Sequence, residues 1–157
     1  MRAASLVLLI VICQSVGLVG ARWTMEAIPT WYAGLIKPSF NPPNWIFGPV
    51  WTTLYLLMAI AAWLVWRMPA SSPRNTALAL FALQLALNFL WTPLFFRFHM
   101  LRGALVEIVV LWMAIGVTTL QFAKLSPSAA WLMAPYLAWV TFASVLNGAL
   151  ARLNPRA

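Results

Sequence analysis

Five long stretches of apolar residues, separated mostly by short polar connections, leave this chain almost no choice of solvent. They run over residues 3–21, 45–66, 77–96, 103–123 and 129–151. Each is long enough to cross a hydrocarbon core of about 30 Å, which takes about 20 residues of helix. Only Glu107 places a charge inside any of them. With 8% charged residues, against roughly 25% in soluble domains, no soluble core can be built from this sequence. The expectation is an all-α membrane protein, a single domain over residues 1–157 built as a bundle of five transmembrane helices.

The formal charge of +8 would suggest nucleic acid if the cations were clustered. Instead they stand singly at span ends and in loops, where they meet headgroups, and the reading carries no nucleic-acid partner. Five spans put the termini on opposite sides. Arg22, Lys37, Arg97, Arg102, Arg152 and Arg156 then share one side, and Arg2, Arg67, Arg74 and Lys124 the other, a six-to-four bias. The partner expected from composition alone is membrane lipid. Cys13 lies within the first span with no second cysteine to pair with. The apolar run around it continues through Gln14 to Ala21, so it is read as a retained helix rather than a cleaved leader.

Punctuation agrees with these spans. Asn44 can cap the second after Pro42 and Pro43, Ser71 to Pro73 break the chain before the third, and Ser126 with Pro127 before the fifth. Pro93 and Pro135 fall inside spans and weaken the hydrogen bonds of the Phe89 and Trp131 carbonyls. Either they only shape the bundle or they open a cavity. The long connection, Arg22 to Asn44, reads WYAGLIKPSFNPPN over most of its length. Loops of this length are often lids, and Trp31, Tyr32, Lys37, Pro38, Pro42 and Pro43 are the candidate lid residues. The alternative is an interfacial aromatic belt made by Trp23, Trp31 and Tyr32.

Alternating the helices gives every residue a depth. Trp51 and Tyr55 fall near the first loop, as do Asn88 and Trp91, Glu107, and Ala143, Leu146 and Asn147. Gln84, Asn88 and Trp91 share a helix face, and so do Trp139, Ala143 and Leu146, with Asn147 four beyond Ala143. Polar groups at membrane depth face the bundle interior or a cavity. The candidate site is a pocket walled by Trp51, Trp91 and Trp139, with Asn88 and Asn147 as polar handles and Ala143 leaving room. Such walls suit a flat, largely apolar molecule. The competing reading is that the tryptophans only pack helices, making a structural membrane protein without a ligand. Tyr136 is expected toward the opposite leaflet, Glu107 beside Arg102, and His99 in solvent. No nucleophile–base pair, paired carboxylate or metal-ligand spacing is present, so no catalytic set or metal site is expected.

Three motifs carry a family resemblance. WYAGLIKPSFNPPNWIFGPVWTTLY spans Trp31 to Tyr55, LALNFLWTPLFF spans Leu85 to Phe96, and PYLAWVTFASVLN spans Pro135 to Asn147. Together they resemble the translocator protein family, whose bacterial members are called tryptophan-rich sensory proteins. The resemblance implies a five-helix bundle, usually a homodimer, acting as a membrane receptor or sensor. It implies binding, and possible transport, of porphyrins, cholesterol-like lipids and related hydrophobic ligands beneath the first loop. Protoporphyrin IX or haem is the expected ligand, and no cofactor is required. It places ligand contacts at Trp51, Asn88, Trp91, Trp139, Ala143 and Leu146. Trp51 and Trp139 match a pair implicated in light- and oxygen-dependent porphyrin breakdown, the nearest the resemblance comes to catalytic residues. Gly148 stands where the sterol pattern of the animal proteins has tyrosine, which weakens the cholesterol expectation. The small residues Gly103, Ala104, Ala114 and Gly116 hint at a close helix contact. Short loops and the lack of an evident organellar presequence point to a bacterial cell membrane.

Overall fold

The computed structural model describes residues 2–155. It contains five long helices and, among the described residues, no strand: α1 (Arg2–Ala27), α2 (Phe47–Trp66), α3 (Ser72–Thr92), α4 (Leu101–Leu125) and α5 (Pro127–Leu153). All five are long and apolar enough to span a membrane. Arg156 and the side chain of Arg2, counted in the charge bias, lie outside the described residues.

The helices close into a ring. α1 packs on α2, α2 on α5, α5 on α4 and α4 on α3, and α3 returns to α1 and α2. Small side chains set the closest approaches. Ala59, Ala61 and Ala62 bury one stripe of α2 completely. On α1, a Cβ added at Gly17 would come within 2.6 Å of the Tyr55 ring, so only glycine lets that ring lie flat against the helix. In lipid this close packing replaces the hydrophobic drive that assembles soluble cores.

Helix ends depart from hydropathy in physically simple ways. α1 runs six residues past Ala21, because nothing from Arg22 to Ala27 breaks a helix and Pro29 comes only afterwards. Arg22 and Glu26 pair across that exposed turn at 3.5 Å. The first connection is correspondingly shorter than the sequence suggested. Ser71 and Ser126 cap α3 and α5 by accepting the amides of Arg74 and Ala129. Asn44 makes no such cap: the chain enters α2 through a 3-10 turn, Asn44–Ile46, without a side-chain cap bond.

Pro93 does more than kink α3. Its missing N–H converts the helix end into a π-turn over Pro93–Arg97, in which the Phe98 amide reaches the Pro93 carbonyl at 2.9 Å. The widened turn brings Phe95 and Phe96 inward, while His99 reverses the chain with φ 57°. His99 is exposed but not simply solvated, because its ring stacks on Trp31 at 4.2 Å. α5 continues as a helix through Pro135.

Candidate functional site

A cavity of about 390 Å³ opens in the half of the bundle nearest the first loop. Trp51 and Tyr55 of α2, Trp91 of α3, and Trp139, Ala143, Leu146 and Asn147 of α5 line it, which brings together seven of the eight residues expected at a pocket. The rings interlock: Trp51 lies 5.5 Å from Tyr55, Phe47 6.1 Å from Trp139, and Trp91 stacks on Phe95 at 5.0 Å. Trp91 spends its indole N–H on the Asn147 side-chain oxygen at 3.3 Å, and Asn147 donates to the Leu101 carbonyl at 2.9 Å. Among the described residues, Trp51 and Trp139 have no protein acceptor for theirs. Neither of those indole N–H groups is spent on a protein acceptor.

Asn88 is placed behind this wall. It is 2% exposed and does not line the cavity. Its side-chain oxygen accepts from the Tyr55 hydroxyl at 2.5 Å, and its nitrogen donates to the Tyr136 hydroxyl at 2.9 Å. Asn88 therefore fixes Tyr55, and only Tyr55 faces the cavity. Tyr136, expected toward the opposite leaflet, belongs to this cluster: its backbone sits lower on α5, but the long side chain carries its hydroxyl to Asn88. Glu107 does not pair with Arg102; it is buried and makes no hydrogen bond.

The wall that sequence reasoning left out is α1. Gln14, Gly17, Leu18, Ala21, Thr24 and Met25 all border the cavity. Gly17, Ala21 and Thr24 follow the same i, i+4, i+7 spacing used for α3 and α5, and that pattern could have revealed them. Leu18, Met25 and Trp45, the last in the 3-10 turn before α2, are each 73% exposed within the bundle. Cavity walls that are also lipid-facing make this side the lateral opening.

The first loop roofs the cavity. Of its candidate lid residues only Tyr32 lines the space. Tyr32 is buried against Phe95 and Phe96, and its hydroxyl donates to Asn41 at 2.7 Å. Burial pushes that hydroxyl above the usual phenol range, partly offset by the bond to Asn41. Trp31 packs edge-on against Phe95. Lys37 folds back onto the Ala33 and Leu35 carbonyls and over the Tyr32 ring. Pro38 and Pro42 lend carbonyls to Asn41, and Pro43 leads into the 3-10 turn. These residues brace the roof rather than face the cavity.

A clamp ties the roof to α5. The Asn154 side chain accepts the Ile36 amide and donates to the Ile36 carbonyl, both at 2.9 Å, while also bonding the Leu150 carbonyl. Asn154→Ala is expected to speed hydrogen exchange at the Ile36 amide about tenfold, since losing the pair costs about 1.4 kcal/mol locally. Unchanged exchange there would mean that the buried Tyr32 and Leu35 side chains alone hold the roof.

Gly148 faces α4, where an added Cβ would meet Leu105 at 3.7 Å, and it does not line the cavity. Of the four small residues on α4, Ala104 is buried within the bundle, whereas Gly116 faces open space.

Comparison with known proteins matches residues 9–153 to the TspO/MBR family. The tryptophan-rich protein TspO of Chlorobaculum tepidum is 42% identical over 155 residues, covering 96% of each chain. The translocator protein of Homo sapiens is 41% identical over 138 residues, covering 87% of this chain and 82% of its own. The tryptophan-rich sensory protein of Cereibacter sphaeroides is 44% identical over 124 residues, covering 79% of this chain and 77% of its own.

Proposed function

The chain belongs to the TspO/MBR family as an integral multi-pass membrane protein, and on that premise we propose that it is a receptor for flat hydrophobic molecules of the tetrapyrrole class. The observation that carries this reading is that Trp51 and Trp139 border one cavity with both indole N–H groups unspent. Aromatic faces stack on a macrocycle for about 0.5–1.5 kcal/mol per pair, while the two donors orient peripheral oxygens such as propionates. Protoporphyrin IX or haem would be held by stacking and hydrogen bonds, not by an axial ligand. The lateral opening beside α1 admits a ligand dissolved in the bilayer, which suits a protein of a bacterial cell membrane that also hands its ligand on. We place the working form as a homodimer, with the outward face of α4 at Gly116 available for the contact.

The same geometry supports a second activity. Two oxidisable indoles beside one bound photosensitiser could serve light- and oxygen-dependent porphyrin breakdown. Titrating the purified protein with protoporphyrin IX in the dark, by quenching of tryptophan fluorescence, tests the receptor reading. Saturable binding is expected, weakened about tenfold by Trp51→Ala and by Trp139→Ala, as the loss of one stacked pair implies. Quenching that never saturates, and that neither substitution alters beyond removing one fluorophore, would overturn it. Illumination in air then separates the two activities: a Trp51→Phe, Trp139→Phe protein that still binds but no longer degrades porphyrin assigns the breakdown to the indoles.

A further inference from the structure

Beside the cavity, a second groove runs along the outside of the bundle between α1 and the end of α3. Val19, Arg22, Trp23 and Glu26 of α1 line it together with Arg97 of the π-turn, and Leu18 borders both the groove and the cavity. The Trp23 ring lies 6.0 Å from Phe89 of α3 and joins the two helices there.

The donors in this groove are unspent. Among the described residues Arg97 makes no ion pair and no side-chain hydrogen bond; its guanidinium lies 6.0 Å over Trp23 and 5.8 Å over Phe98. Trp23 likewise has no protein acceptor for its indole N–H among the described residues. Arg22 reaches Glu26 through Nε at 3.5 Å, with the two side chains 82% and 68% exposed. An exposed pair of this kind contributes little and is readily exchanged.

Depth sorts these groups. Leu18 and Val19 belong to the apolar run that ends at Ala21, Arg22 and Trp23 come directly after it, and Arg97 directly follows the apolar run that ends at Phe96. Both guanidiniums and the indole therefore stand where hydrocarbon gives way to headgroups. Glu26 is one helical turn further out, about 6 Å along the axis. From the bilayer outward the groove reads apolar, cationic, then anionic.

We propose that this groove binds one phospholipid with an ethanolamine headgroup. Such a lipid carries the complementary sequence: acyl chains, a phosphate, and an ammonium two carbons beyond. The phosphate falls to Arg22 and Arg97, whose planar donor forks suit its oxygens, with the Trp23 N–H as a further donor. The ammonium meets Glu26, and the chains lie along Val19 and Leu18. One exposed ion pair is thereby exchanged for two charge-assisted contacts. A glycerol headgroup brings no cation to Glu26, and choline brings a cation without an N–H to donate. Other cations of the bundle lack this setting. Arg74 is bonded to the Trp66 carbonyl and Lys37 to the Ala33 and Leu35 carbonyls, and the second acid of the chain, Glu107, is buried.

Native mass spectrometry of the full chain, equilibrated in detergent with equimolar dioleoyl phosphatidylethanolamine, phosphatidylglycerol and phosphatidylcholine, reads the preference directly. The ethanolamine lipid is expected to bind about fivefold more tightly than the other two, the effect of one added ionic contact near a membrane surface. Arg97→Ala and Arg22→Ala should each weaken all three lipids about fivefold, since all three carry the phosphate. Glu26→Gln should bring the ethanolamine lipid down to the level of the glycerol lipid and leave the latter no weaker. All three side chains are exposed, so the thermal midpoints of the variants should match that of the unaltered protein. Equal retention of the three lipids by the unaltered protein, or an ethanolamine preference that survives Glu26→Gln, would sink the assignment, and so would binding indifferent to both arginine substitutions. Displacement of the lipid by millimolar glycerophosphoethanolamine would give the groove to a free headgroup instead.

Discussion

Asn88→Leu is expected to destabilise the folded bundle by about 2–3 kcal/mol, the largest stability loss of any single polar replacement in the interior. One amide holds hydroxyls from two other helices, Tyr55 of α2 and Tyr136 of α5, at 2.5 and 2.9 Å. Both tyrosines are buried, at 5% and 0% exposure, and Tyr136, which does not line the cavity, has no solvent to replace the lost partner. Leaving a buried hydroxyl unsatisfied costs about 1–3 kcal/mol. In membranes the cost falls toward the lower end, because interhelical hydrogen bonds average only about 0.6 kcal/mol when the unfolded helices find other partners. A triple variant, Asn88→Leu with Tyr55→Phe and Tyr136→Phe, should recover most of the loss, since it removes donors and acceptors together. Equilibrium unfolding in mixed micelles reads both. A single-variant loss within about 0.5 kcal/mol, the range of an ordinary surface change, would show that the two tyrosines find other partners.

That prediction turns on a residue whose sequence position suggested a different job. Depth and helical spacing placed Asn88 on the inner face of α3, where it lies, and suggested a ligand contact. Depth and direction alone cannot separate facing a cavity from standing behind a neighbour that faces it. Tyr55 reaches from α2 far enough to intervene, and only coordinates show that. The five spans were legible because lipid admits so few backbone solutions that length and hydropathy nearly suffice. The pocket walls on α3 and α5 were legible from depth and spacing, and those on α2 from depth. α1 was passed over because its run of Leu, Val, Ile and Ala carries few polar or aromatic residues that mark a functional face. The position of Tyr136 was not legible either, since depth assigned to a Cα says little about a hydroxyl at the end of a long side chain. Nor was the π-turn at Pro93: sequence shows that a hydrogen bond must be lost there, not which wider turn replaces it.

If the cavity is the ligand site, Ala143→Phe should abolish high-affinity binding, lowering affinity about a hundredfold, while leaving the fold intact. Ala143 lines the cavity from α5, and a ring added there grows into empty space that a ligand would occupy. Displacing the ligand from two of its tryptophan walls, at up to about 1.5 kcal/mol each, amounts to about 2.7 kcal/mol, which corresponds to that hundredfold change. The thermal midpoint should hold steady or rise, because filling a void restores contacts that its lining lacks. Ala59→Phe provides the contrast. Ala59 is wholly buried in the packed core and does not line the cavity, so the same enlargement there overpacks helices that have no room and costs about 1–3 kcal/mol or more. Protoporphyrin titration and thermal unfolding of the two variants should therefore diverge, one losing ligand and keeping stability, the other losing stability first. Undiminished binding by a stably folded Ala143→Phe protein would place the ligand elsewhere and leave Trp51, Trp91 and Trp139 as packing residues around an unused void.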